Sequence, residues 1–477
     1  MKTKIIATVG PASGSIAMLR QLVTAGVDLF RLNFAHGEHA WLAEVVASIR
    51  TISAEFGKPI GILGDLSGPK IRLGILPDEG FCCQQGGRFE FVREPDPDDP
   101  TKLTCTYEAL IDDLRVGDRV LLADGIVALR VAEKPATNDR LVCICEQSGC
   151  IRSKQGVNVP GAALKVPSLT EKDLEDLTWA VENRLDYVGL SFVRSAGDIE
   201  LLRNEIQARN PIVPPAIVAK IEKMEAVSDL ETILEQTDAV MVARGDLGVE
   251  VDIAHVPALQ KRIIRACNQH GVPVITATQM LDSMQTNELP TRAEASDVAN
   301  AVLDGSDAVM LSGETAIGKH PVTAVSMMSR IVMEAERLVR PVAAAENRGG
   351  SRNRAKLATE AITLGAGTAA EFLDADLIVV ATRSGKTAMA LSNQRSTMPI
   401  LALSDSPETT RRMCLYWGVT PVETDVVRQA PKAMLRFITD WGKRAQVVSP
   451  GSRVVLVGST DWNSETKDLL LVHVVPG

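Results

Sequence analysis

AIVAKIEKMEAVSDLETILEQTDAVMVARGD, residues 216–246, contains one complete turn of the pattern that organises this chain. AIVAKI is apolar at almost every position, so as a strand it must be covered on both faces, as in a parallel sheet wrapped by helices. In the stretch that follows, Met224, Val227, Leu230, Ile233 and Leu234 recur at the three- and four-residue spacing of a helix with one buried side. AVMVA then repeats the strand pattern. The unit is strand, helix, strand, and runs of the same kind stand at 4–9, 28–34, 59–66, 187–193, 272–279 and 308–314. With those at 216–222 and 239–246 they make eight, and eight βα units closing on themselves form a TIM (β/α)8 barrel.

The spacing breaks once, between the third and fourth runs. Residues 88–92, 119–122, 126–131 and 141–145 are strand-like pieces separated by turn-rich text such as EPDPDDPT (94–101). They predict an inserted β-barrel lid domain over 69–167, leaving 1–68 and 168–338 for the barrel. Residues 340–354 have linker composition. Beyond them, runs at 376–381, 400–403, 453–457 and 469–475 mixed with helical text predict a C-terminal open α/β domain over 355–477.

A chain of 477 residues with 45% apolar and 23% charged residues can build several ordinary cores. A formal charge of -9 argues against a nucleic-acid partner. The opening MKTKIIATVG is too brief for a secretory signal and no run is long enough to span a membrane, so a soluble cytoplasmic protein is expected. Six of the eight cysteines lie between 82 and 150 without a CxxC pair. A disulfide or zinc site is conceivable there, but reduced thiols acting as small core residues are the expectation, and no function is assigned to them.

Polar side chains gather at the C-terminal ends of the eight runs, the face on which barrels carry their active sites. Arg31, Asn33 and His36 follow the second, Asp65, Lys70 and Arg72 the third, and Ser191 the fourth. The fifth supplies Lys220 and Glu222, the sixth Gly245 and Asp246, the seventh Thr278, the eighth Ser312 and Glu314. Lys220 and Glu222 are two apart and so point to the same side of a strand. With Asp246 they offer two carboxylates for a hard divalent ion beside an ammonium. A purely structural charge network would look the same in isolation; Gly245, Thr278 and Arg31 turn it into a pocket for phosphate and carboxylate.

The strings TKIIATVGP (3–11), RLNFAHG (31–37), GDLSGPKIR (64–72), KQGVNVPG (154–161), AIVAKIE (216–222), MVARGDLGVE (241–250), ITATQML (275–281), PTRAEASDVANAVLDG (290–305) and AVMLSGETA (308–316) resemble, in this order, the pyruvate kinase pattern. DLIVVATRSGKTA (376–388) is similar to that family's regulatory domain. The resemblance implies transfer of the phosphoryl group of phosphoenolpyruvate to ADP, giving pyruvate and ATP, with Mg2+ or Mn2+ on Glu222 and Asp246. It implies Arg31 and Lys220 around the phosphoryl group, and Gly245, Asp246, Thr278 and Ser191 around the substrate. Thr278 and Ser312 become candidates for relaying the final proton, and Arg72, Asn33, His36 and Lys154 face the nucleotide. It also implies a homotetramer.

Two departures from the family pattern matter. The family's potassium ligands fall at Asn33, Ala35, Asp65 and the Leu66 carbonyl, with a glutamate at position 70; here one hydroxyl ligand is missing and position 70 is a lysine. A fixed ammonium can take the ion's place but not bind it, so potassium is expected to be dispensable. Gln155 replaces a lysine of the lid, and Lys154 beside it is the substitute. RSGKTA is no P-loop, because Val380 stands where the first glycine belongs. The loop Thr382, Arg383, Ser384, Gly385, Lys386 and Thr387 matches instead an effector site for a phosphorylated small molecule. LGAGTAA (364–370) follows no strand and is rejected as a dinucleotide fingerprint. A magnesium-dependent aldolase or lyase would share AIVAKIE and GDLG without needing Arg72 or the lid, and a silent metabolite sensor would require a broken site.

Overall fold

The structure is a computed structural model that describes all residues except 77–79, 97–98, 163, 340–353, 460–461, 463–466 and 477. Eight parallel strands close into a barrel: Lys4–Val9, Leu29–Asn33, Gly61–Asp65, Tyr187–Leu190, Ala216–Ile221, Ala239–Ala243, Val274–Ala277 and Ala308–Leu311. Each pairs with its neighbours in the chain, the third meets the fourth across the insertion, and the eighth returns to the first with Lys4 opposite Ala308. The expected barrel is therefore present. Its strands are nearly all buried, which is why the sequence shows unbroken apolar runs rather than alternation.

Several strands stop earlier than the apolar runs suggest. The sixth ends at Ala243, and Gly245 and Asp246 belong to a short helix, Arg244–Glu250. The residues that overran the strands are those that turn out over the barrel mouth. Longer helices are fixed by local chemistry: Thr291 caps Arg292–Leu303 by accepting from the Glu294 amide while Glu294 accepts from the Thr291 amide.

Between the third and fourth barrel strands lies a six-stranded sheet, in the order Val157–Asn158, Arg119–Leu122, Val127–Glu133, Arg140–Gln147, Arg88–Val92, Lys102–Leu103. A two-stranded ribbon, Phe81–Cys83 with Gly149–Ile151, shares its core through Cys83, Phe89, Leu129 and Ile151. Antiparallel pairing of that ribbon sets Cys82 opposite Cys150, and the two form a disulfide. The expectation of reduced thiols is thus corrected at these two positions. They lie 68 residues apart in sequence, which no short spacing motif could reveal. Cys83, Cys105, Cys143 and Cys145 are free, and all but the half-buried Cys105 are buried, as expected.

The third body is a five-stranded sheet in the order Val419–Glu423, Ile400–Ser404, Leu377–Ala381, Arg453–Gly458, Leu469–Val474, the last strand antiparallel. Its apolar residues Ile378, Ile400 and Leu415 share one cluster with Ile6, Leu63, Val218 and Met241 of the barrel strands. LGAGTAA lies within the helix Arg354–Phe372, in keeping with its rejection. The expected linker at 340–354 falls outside the described residues except for Arg354, where that helix begins.

Candidate active site

Strand ends bring five ionisable residues to one mouth of the barrel. Lys220 is the fifth residue of its six-residue strand, and its ammonium donates to Ser191 Oγ at 2.7 Å. It also pairs with Glu222 at 3.0 Å and with Asp65 at 3.3 Å. The alternation rule is met directly, since Lys220 and Glu222 point together. Arg31, from the second strand, places Nε 2.7 Å and Nη2 2.6 Å from Asp65 Oδ2. Asp65 therefore holds both cations with one carboxylate. Burial alone would raise its pKa, but Lys220 and Arg31 outweigh burial and hold it below the usual aspartate value. Burial works against the Lys220 charge, yet Asp65 and Glu222 more than offset it, so the pKa is raised and the ammonium persists.

Glu222 is buried, and its second oxygen accepts from the Phe192 amide at 2.8 Å. Its pKa is raised, first by burial and further by the negative charge of Asp246, against the pull of Lys220. Two cations thus face three carboxylates, Asp65, Glu222 and Asp246. A carboxylate left short of positive charge beside a second one is a donor set that suits a divalent ion. Among the described residues no group of three or more His, Cys, Asp or Glu forms a metal cage. The chain fits an ion that takes its remaining oxygens from substrate and water.

Against Gly245, Thr278 follows the seventh strand with φ of 63°, and Gln279 follows with 55°. A left-handed β-branched residue is uncommon and marks a site that its surroundings hold in place. Thr278 Oγ1 accepts from the Gly245 amide at 2.8 Å and donates to the Ala277 carbonyl at 2.7 Å. Ser312, after the eighth strand, has a buried hydroxyl with no hydrogen-bond partner among the described residues. Its amide donates to Glu314 at 2.7 Å.

The remaining expected residues lie around this centre. Asn33 Oδ1 accepts from the Ala35 amide at 3.1 Å, and His36 is exposed. Arg72 stands at the start of the insertion, bridged to Gly156, and its guanidinium donates to the Lys154 carbonyl at 3.1 Å. Gln155 caps the Arg152 amide at 2.6 Å, so its side chain is used inside the turn, whereas Lys154 is exposed with φ of 64°. Lys70 is exposed and its Cε lies 3.3 Å from where a Cβ on Gly156 would sit. In the C-terminal sheet domain, the Gly385 amide donates to Thr382 Oγ1 at 3.0 Å. Arg383, Ser384 and Lys386 are exposed, while Thr382 and Thr387 are buried.

Sequence reasoning did not single out Arg244, buried beneath Thr278, and gave no role to the amide of Phe192 at the end of the fourth run, whose left-handed φ of 54° presents that amide to Glu222. A single arginine between an apolar run and GD carries no periodic signal, so neither was legible.

Comparison with known proteins shows the family of the chain. Residues 1–325 match the family model described as pyruvate kinase, barrel domain, and residues 360–473 match pyruvate kinase, alpha/beta domain. The chain is 42% identical to pyruvate kinase 2 of Synechocystis sp. over 480 residues, covering 99% of the chain and 79% of that protein. It is 39% identical to pyruvate kinase of Clostridium acetobutylicum, covering 99% of each. The crystal structure of a pyruvate kinase from Cryptosporidium parvum superposes with a TM-score of 0.92 at 32% identity, over 100% of this chain and 96% of that one. A chain matched by both family models along most of its length, with the barrel and sheet domain they describe, belongs to the pyruvate kinase family and is a phosphotransferase of that family.

Proposed function

We propose that this chain moves the phosphoryl group of phosphoenolpyruvate to ADP at the mouth formed by Lys220, Arg31, Glu222, Asp246 and Thr278. The observation that carries the reading is the Lys220 ammonium, held by Ser191, Asp65 and Glu222 and kept charged in a buried place. In the reaction the bond between phosphorus and the enol oxygen breaks and a bond to the terminal oxygen of ADP forms. The enolate then takes a proton at its methylene carbon to become pyruvate. Lys220 and Arg31 offset charge on the phosphoryl oxygens and the departing enolate oxygen, which is where preorganised cations act most strongly. Glu222 and Asp246 would hold Mg2+ or Mn2+, which when bound would supply positive charge to offset that of the substrate's oxygens. The Gly245 and Asp246 amides with Thr278 orient the carboxylate. Thr278 and Ser312 relay the last proton through water, the free Ser312 hydroxyl being available for this.

Arg72, Asn33, His36 and Lys154 meet the nucleotide phosphates when the insertion closes as a lid and excludes water. Lys70 stands in for potassium, whose remnant ligands are Asn33 and Asp65. The loop from Thr382 to Thr387 takes a phosphorylated effector, which titration of phosphoenolpyruvate saturation with sugar phosphates and AMP identifies. The protein works in the cytoplasm, with no membrane or nucleic-acid partner, as a homotetramer whose size sedimentation reads. Among the described residues no helix is long and apolar enough to cross a membrane.

The decisive experiment is Lys220→Met in an ADP-coupled assay. Turnover is expected to fall roughly a hundredfold or more while phosphoenolpyruvate still binds, because the charge is used mainly in the transition state. Wild-type kcat in this variant removes Lys220 from the mechanism.

A further inference from the structure

Thr278 and Gln279 are consecutive residues in the left-handed region, with φ of 63° and 55°. Such a conformation is strained and persists only where neighbours over-determine it. The neighbour here is Arg244, only 8% exposed. Its guanidinium donates to the Ala277 carbonyl at 3.2 Å, the Thr278 carbonyl at 2.7 Å and the Gln279 carbonyl at 3.3 Å, and meets Met280 Sδ at 2.8 Å. Three successive carbonyls turned toward one side repel one another unless a cation lies between them. The far side of the fork is anchored by Asp297 at 2.6 Å and Gln260 at 3.3 Å.

Arg244 is also the residue before Gly245, whose amide donates to Thr278 Oγ1 at 2.8 Å. One side chain thus fixes the backbone of Thr278, and its own backbone leads into the group that Thr278 meets. We propose that Arg244 is a positioning residue for the proton transfer that completes pyruvate: it touches no substrate, and sets Thr278 and the Gly245 amide in their working places. The proposal rests on the reading of Thr278 given above.

Arg244→Lys tests it, because a lysine keeps the charge but offers donors from one point and cannot serve three carbonyls and Asp297 together. The expected result is a fall in kcat of about 10- to 100-fold, the size that follows a misplacement of about an ångström. The KM for phosphoenolpyruvate should rise by less than kcat falls, because Thr278 and the Gly245 amide orient the substrate carboxylate as well as serving the proton transfer. Exchange of the methyl protons of pyruvate with deuterated water, followed by NMR with Mg2+ present, should fall at least as far as kcat. A merely structural role would lower the melting temperature and leave that exchange per folded molecule unchanged.

Thr278→Ala separates the two layers. If it retains wild-type turnover, the role given to Thr278 is wrong. If it loses turnover while Arg244→Lys keeps wild-type kcat and exchange, the positioning role is overturned and the role of Thr278 stands. Should Arg244→Lys not fold, Asp297→Asn loosens the far end of the fork and is read in the same way: exchange reduced about threefold or more supports the proposal, and wild-type exchange overturns it.

Discussion

Lys220 and Glu222 could be paired from sequence because alternation along a strand fixes their common side before any tertiary contact is known. Their 3.0 Å contact realises that. Asp65 could be placed at the mouth, but not its sharing between Arg31 and Lys220, because that depends on how strands two, three and five close around one axis. Arg244 was opaque for the same reason: its partners lie 16 to 53 residues onward in the chain. Lys70 carries a prediction at this scale. The wild-type rate should be the same in potassium-free buffer as with potassium added. Lys70→Glu, which restores a carboxylate and removes the fixed cation, should lose activity and recover it on adding potassium. A wild-type rate that rises many-fold with potassium would count against the substitution of ion by side chain.

Among elements, long periodic segments were legible and short ones were not. The barrel strands were found from unbroken apolar runs, yet their ends were overestimated because Gly245, Thr278 and Ser312 continue the text of a strand while turning out of it. The pieces Phe81–Cys83, Gly149–Ile151 and Val157–Asn158 of the insertion are two or three residues long, and so short a segment has no period to read. The Cys82–Cys150 bond follows from that hidden ribbon. Both cysteines are exposed, and the bond ties the ribbon whose second strand leads into the Arg152–Gln155 turn beside Arg72. Thiol titration of the native oxidised protein should find Cys82 and Cys150 unreactive until a dithiol reductant is added, then promptly reactive. Cys82→Ser should destabilise the insertion by about 2–4 kcal/mol, as expected for opening a loop of this length. Equal denaturation midpoints for the oxidised and reduced protein would refute that contribution.

At the scale of the molecule, the C-terminal domain is joined to the barrel by apolar packing and by buried ion pairs. Asp186, just before the fourth barrel strand, is buried and accepts from Arg411 at 2.6 Å and Arg50 at 3.0 Å, while its Oδ2 also takes the Ile62 amide. Arg395 reaches Asp307 at 3.0 Å near the start of the eighth strand. Asp186→Ala strands two arginines in a partly dry interface and should cost about 3–5 kcal/mol, read as a lowered denaturant midpoint. A loss below about 1 kcal/mol would mean that water reaches the site and screens the pair.

By itself the sequence determined the number and order of the βα units, the place of the insertion and the side on which reactive groups gather. These follow from periodicities of two and 3.6, which are local properties of a chain that must bury one face or both. Tertiary structure alone decided which charges share a carboxylate, which arginine holds Thr278 in its left-handed turn and which cysteines meet. Those are contacts between residues tens of positions apart, and only closure of the barrel and pairing of the short ribbon bring them within hydrogen-bond or covalent reach.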